Sequence, residues 1–91
     1  MPQLKNSPAP KNTETLRQIT DALGELTGDS SVPRNVRNKL AHTLQILNGG
    51  EEQRIKVSKA LEELDEIIDD PNMQPYTRTQ IWNIVSLLET V

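Results

Sequence analysis

Apolar residues recur at intervals of three and four along most of the chain, which is the spacing of one face of an α-helix. Four such stretches are separated by prolines and glycines, which interrupt helices. The predicted helices begin at Thr13, Pro33, Glu51 and Pro75, and the first three are closed by Gly28, the Asn-Gly-Gly sequence at 48–50 and Pro71. Valine and isoleucine never alternate with polar residues as they would in a strand. The pattern therefore predicts an all-α protein.

The first twelve residues differ from the rest of the chain. They hold Pro2, Pro8 and Pro10 among polar residues and have no apolar run of the kind found in a signal peptide. We therefore expect a disordered N-terminal tail over 1–12 and a single four-helix domain over 13–91. No stretch approaches the roughly 20 apolar residues of a membrane span, and the 91 residues contain no cysteine. Together these features predict a soluble, cytoplasmic protein.

The apolar pattern superposes on itself after a shift of 41 residues, which suggests an internal repeat. The matched pairs include Leu16 with Val57, Ile19 with Ala60, Leu23 with Leu64, Leu40 with Ile81, Leu44 with Val85 and Leu47 with Leu88. We therefore predict an antiparallel four-helix bundle built from two repeated helical hairpins. The alternative is a short HEAT-like stack, because such repeats have a similar period.

The same shift relates the turns of the two hairpins, which we call the first and second elbow. Asp29, Val32 and Arg37 in the first elbow recur as Asp70, Met73 and Arg78 in the second. A reactive site needs no second copy, whereas a folding constraint would occur in both hairpins. We therefore expect each aspartate to accept backbone N–H groups, each apolar residue to fill the gap between helices, and each arginine to bind its elbow's carbonyls or its aspartate.

The second elbow also carries a resemblance to a known family. Asp70, Pro71, Asn72, Met73, Thr77, Arg78, Thr79, Ile81 and Trp82, with Val32–Arg37, resemble an archaeal family of small helical proteins of unknown function. The resemblance covers about Leu16 to Glu89 and implies a four-helix bundle without an established activity. Pro75 lies one position later than the family's proline, and Ser30 replaces a proline that follows Asp29.

Charge is distributed unevenly around a net charge of −3. Residues 34–60 carry six basic and two acidic side chains, whereas residues 61–91 carry one basic and seven acidic side chains. The basic side chains Arg34, Arg37, Lys39, Arg54, Lys56 and Lys59 are candidates for contact with phosphates, which makes a nucleic-acid accessory protein one alternative function. Two aromatic residues make a poor base-stacking platform, so the acidic segment is the favoured partner of these cations.

Residues that could carry catalysis or bind metal do not converge in the sequence. His42 is the only histidine and lies off the apolar arc of the second helix, so we expect it to face solvent. No serine, cysteine or acid is spaced to serve it as a catalytic residue. The acidic residues between 62 and 70 lack the inward Glu-x-x-His pairs of di-metal bundles and the central glycine of a calcium loop. We therefore predict no cofactor, no metal, no small-molecule substrate and no enzymatic activity, with a metal-dependent enzyme as the remaining alternative.

The apolar arcs of the second and fourth helices are wider than one buried stripe. Ile46, Tyr76, Trp82 and Leu87 lie at or near the margins of these arcs, and tryptophan is enriched at the centres of protein interfaces. Two hairpins also make a small core, which dimerisation would enlarge. The sequence therefore predicts an interaction or adaptor module that contacts a protein partner or a second copy of itself.

Overall fold

The computed structural model describes residues 11–91, with side chains from Thr13 onward. It contains four α-helices: α1 (Lys11–Thr27), α2 (Arg34–Leu47), α3 (Gln53–Ile67) and α4 (Pro75–Leu88). Over these residues the chain forms no strand, so the all-α prediction is confirmed. The helix α1 begins two residues earlier than expected and takes Lys11 and Asn12 from the predicted tail. The rest of that tail, residues 1–10, lies outside the described residues.

The four helices contact one another in a closed ring. Each helix packs against the helices that precede and follow it in the chain, and α1 also packs against α4. Within residues 11–91, the backbones of α1 and α3, and those of α2 and α4, do not approach each other as closely as those of ring neighbours do. A HEAT-like stack would pair those equivalent helices, whereas short connections between ring neighbours are typical of an antiparallel bundle. The arrangement is thus consistent with the predicted bundle, in which both elbows lie at the same end.

One stripe of each helix forms the core. Buried positions recur 41 residues apart in the two hairpins: 19, 23, 26, 32, 36, 40, 43 and 47 match 60, 64, 67, 73, 77, 81, 84 and 88. Valine, isoleucine, leucine and alanine dominate this set, with Met73 as the one flexible gap-filling side chain. The two hairpins therefore bury equivalent positions.

The starts of α2 and α4 explain the displaced proline of the second elbow. Pro33 is the N-cap that precedes α2, whereas Pro75 is the first residue of α4. The helix α4 begins 41 residues after α2, so the two helices start at equivalent positions of the repeat. The later position of Pro75 therefore does not shift the start of α4. Proline is well tolerated at both positions, since its nitrogen there would have no partner within the helix.

None of the four helices in residues 11–91 has the length and apolar character that a membrane span requires.

Candidate functional site

An ionic seam joins α2 to α3 on the outside of the bundle. Lys39 Nζ lies 2.6 Å from Glu66 Oε1 and 3.4 Å from Glu63 Oε2, and His42 Nδ1 contacts Glu63 Oε1. The His42 ring is exposed, but the Glu63 side chain is only 14% exposed. The hydrogen bond from His42, together with Lys39, lowers the pKa of Glu63, and the bond to Glu66 raises the pKa of Lys39.

A surface depression lies along this seam. It is an open groove of about 450 Å³ lined by Asn35, Asn38, Lys39, His42 and Glu63. Its cationic and anionic groups are already paired with each other, and its two asparagines carry no charge. Among the side chains of residues 13–91, no three His, Cys, Asp or Glu gather as a metal site would require. The groove therefore presents neither an unpaired charge nor a nucleophile.

In both elbows the aspartate binds the backbone two residues later. Asp29 Oδ1 accepts the N–H of Ser31 at 2.9 Å and its hydroxyl at 2.7 Å. Asp70 Oδ1 accepts the N–H of Asn72 at 2.8 Å, and its Oδ2 accepts Nδ2 of Asn35 at 2.7 Å. The Ser31 hydroxyl and N–H lower the pKa of Asp29, and Asn35, followed by the Asn72 N–H, lowers the pKa of Asp70. The bond from Asn35 also links the second elbow to the first hairpin.

The two arginines bind backbone carbonyls of their elbows, but not equally. Arg37 Nε donates to Val32 O at 3.0 Å. Arg78 donates twice, from Nε to Ile68 O and from Nη2 to Asp70 O, both at 2.9 Å. Val32 and Met73 are buried beneath the elbows. How much these contacts contribute to folding stays a prediction.

The six candidate phosphate-binding side chains do not form one patch. Arg34 begins α2 and Arg54 lies in the first turn of α3, so the antiparallel arrangement places them at opposite ends of the bundle. The other four donate to acceptors of the chain itself: Arg37 to Val32 O, Lys39 to Glu63 and Glu66, Lys56 to Gly49 O, and Lys59 to Glu51. The cations are therefore dispersed and mostly paired.

The exposed face of α4 carries no charge. Its exposed side chains are Pro75, Tyr76, Thr79, Trp82, Asn83 and Ser86, and we call them the α4 face. The only charged residue of α4 is Arg78, whose guanidinium is bound to the second elbow. Trp82 is 53% exposed and Tyr76 is 71% exposed. Each of the other three helices exposes charged side chains, so α4 differs from them in its chemistry.

Two other predicted interface residues occupy different positions. Leu87 is half-buried on the margin of α4. Ile46 is also half-buried, but it lies on α2, diagonally across the ring from α4. Tyr76, Trp82 and Leu87 therefore lie on the same helix, whereas Ile46 lies on a helix that is not its neighbour. Separate helical wheels cannot reveal which helices share an exterior surface.

Comparison with known proteins identifies the family. The model of the uncharacterised protein family UPF0147 matches residues 4–91. The chain belongs to this family. Its relatives occur in archaea, so the resemblance found in the second elbow is confirmed at the level of the family.

Relatives and solved structures of UPF0147 cover nearly the whole chain. A UPF0147 protein of Methanosarcina mazei is 40% identical over 81 residues, or 88% of this chain and 87% of that protein. UPF0147 protein MJ1419 of Methanocaldococcus jannaschii is 44% identical over 79 residues, or 86% and 85% of the two chains. The crystal structure of the unknown-function protein MMP1188 matches with a TM-score of 0.85 at 38% identity, covering 96% of this chain and 98% of that one. A UPF0147 crystal structure from Thermoplasma acidophilum gives 0.86 at 29% identity, covering 90% and 98%.

One contact of this UPF0147 protein was missed by sequence reasoning. His42 has an acidic neighbour, but Glu63 comes from α3 and lies 21 positions away in the chain. A signal was present in the sequence, because Lys39 and His42 are three residues apart on α2, as are Glu63 and Glu66 on α3. Such spacing places each pair on one edge of its helix, and antiparallel packing of α2 with α3 brings the two edges together.

Proposed function

We propose that this UPF0147 protein is a non-enzymatic protein-interaction module and that the α4 face is its docking surface. The observation that carries this proposal is the half-exposed Trp82 on an uncharged helix face. Interface cores are depleted in charged side chains and enriched in tyrosine and tryptophan, and tryptophan often dominates the binding energy. In a chain with 25% charged residues, an exposed helix face without charge is unusual.

The two alternative functions, a nucleic-acid accessory protein and a metal-dependent enzyme, have weaker support. A nucleic-acid site would gather unpaired cations along one surface, whereas four of the six candidates are bonded within the chain and the remaining two lie at opposite ends. An enzyme would need a reactive group held ready for substrate. The groups of the ionic seam are instead paired with one another.

Site-specific photocrosslinking tests the docking surface. Because the chain has no cysteine, a benzophenone maleimide can be attached at one chosen position. Asn83→Cys places the label on the α4 face, and Gln45→Cys places it on an exposed site of α2 as a matched control. Both labelled variants are irradiated in an extract of the organism that produces the protein.

We expect a discrete protein adduct from position 83 and none above background from position 45. Excess unlabelled wild-type protein should suppress the adduct, whereas excess Trp82→Glu protein should not, because a buried carboxylate opposes docking. Equal labelling from the two positions, or suppression by both competitors alike, would contradict the proposal.

A further inference from the structure

We propose that the occupant of the α4 face is the α4 face of a second copy of the chain, paired antiparallel about a two-fold axis. This inference rests on the proposed function, since it names the partner of the same surface. It identifies the protein as a reversible homodimer whose contact is centred on Trp82 and Asn83.

The absence of charge favours a second copy as the occupant. A partner of different chemistry would normally be selected through complementary charges, which also accelerate association. The α4 face offers no charge for such a partner to recognise. Its occupant must itself present an uncharged face, because an uncompensated charge would be costly to bury there. The chain carries such a surface, and two-fold pairing of one surface with itself is the commonest way in which soluble proteins assemble.

The arrangement of side chains around α4 is also self-complementary. At about 100° per residue, Thr79 and Ser86 project farthest from the core, with Trp82 on one side of them and Asn83 on the other. Antiparallel two-fold pairing keeps each side of the helix opposite the same side of its partner. With the axis between positions 82 and 83, Trp82 meets Trp82 of the partner subunit and Asn83 meets Asn83 of the partner subunit. The small Thr79 then lies opposite the partner's Ser86, which permits close approach of the helices.

The size of the contact predicts moderate affinity. A helix of 14 residues is about 21 Å long, so α4 alone forms an interface at the small end of the range for specific complexes. We therefore expect micromolar rather than nanomolar association. Trp82 is the only tryptophan, so its fluorescence reports on dimer formation directly. Burial in the dimer should shift its emission to shorter wavelength as protein concentration rises.

Cysteine pairing tests the register of this dimer. Asn83→Cys should form a disulfide-linked dimer under mild oxidation, with a yield about tenfold above that of Gln45→Cys at the same concentration, because only the former thiols are held together. Thr79→Cys alone should pair poorly, since the antiparallel register separates the two copies of position 79 by about 10 Å along the helix. An equimolar mixture of Thr79→Cys and Ser86→Cys should pair efficiently. Circular dichroism melts establish that each variant is folded before the comparison.

Several outcomes would overturn the homodimer. These are equal crosslinking of Asn83→Cys and Gln45→Cys, efficient pairing of Thr79→Cys with itself, and Trp82 emission that is independent of concentration up to the millimolar range. If they occur while the photocrosslinked adduct from position 83 contains a different protein, the docking surface stands and the second copy is wrong as its occupant. If that adduct is also absent, the proposed function fails with it.

Discussion

Replacing Arg78 with methionine removes the charged group that joins α4 to the end of α3. The linear stem survives, but the donors to Ile68 O and Asp70 O, each at 2.9 Å, are lost. A hydrogen bond from a charged group contributes about 1.5–3 kcal/mol, and the side chain is half-exposed, so water can replace part of each bond. We expect Arg78→Met to lower the free energy of unfolding by about 2–4 kcal/mol.

The first elbow supplies the matched control. Arg37→Met removes the same group 41 residues earlier, where the arginine makes one bond, at 3.0 Å, to Val32 O. Its cost should be about half that of Arg78→Met, because one bond is lost instead of two. Urea titration and thermal melting followed by circular dichroism measure both variants, and about 4–8 °C of melting temperature corresponds to 1 kcal/mol in a domain of this size. An unchanged melting temperature for Arg78→Met, or equal losses in the two variants, would refute the structural role assigned to the second elbow.

Three further changes probe the core, the second elbow and the ionic seam. Thr77 is buried at the position equivalent to Val36 of the first hairpin, and its hydroxyl has no hydrogen-bond partner among the described residues. Thr77→Val should therefore raise the free energy of unfolding by about 1 kcal/mol, and a lower melting temperature would contradict this. The folded-state pKa values of Asp70 and Glu63 lie below their ordinary values of 3.8 and 4.5, so their stabilisation is present above those values and is lost as pH falls through the folded pKa. Asp70→Asn should therefore destabilise the protein at neutral pH and flatten the acid limb of stability against pH, and an acid limb as steep as the wild type's would disprove it. Glu63→Gln should lower the urea midpoint at pH 7 by weakening the contact with Lys39, with a smaller difference near pH 3, whereas an equal difference at both pH values would exclude an ionic origin.

The helices could be predicted because the physics that places them is local. Prolines and glycines lie between the four stretches in which apolar residues have helical spacing. The beginning of α4 at Pro75 follows from the preference of proline for the first helical turn. Pairing within the elbows is also local, since Asp29 and Asp70 each bind a backbone N–H only two residues ahead. Such contacts depend little on how the helices later assemble.

The contacts between helices could not be predicted in the same way. The approach of Glu63 to Lys39 and His42 depends on the rotation and register of α3 against α2, which the apolar stripe alone does not specify. The dispersal of the basic residues has the same origin. The segment 34–60 is continuous in the chain, but it runs along α2 from one end of the bundle to the other and then about halfway back along α3. Trp82 illustrates the boundary. Its place at the margin of an apolar arc, and the presence of only one charged residue in α4, are readable from the sequence. Its exposed fraction of 53% depends on how α4 packs against α1 and α3.

Sedimentation equilibrium across a wide concentration range tests the central claim about α4 most directly. The wild-type protein should pass reversibly from monomer to dimer as its concentration rises, whereas Trp82→Glu should remain monomeric. Ile55→Glu, which removes another partly exposed apolar side chain from α3, should dimerise as the wild type does. A strict monomer at every concentration, or equal weakening by the two glutamate substitutions, would contradict the assignment of the α4 face as the contact surface between two copies.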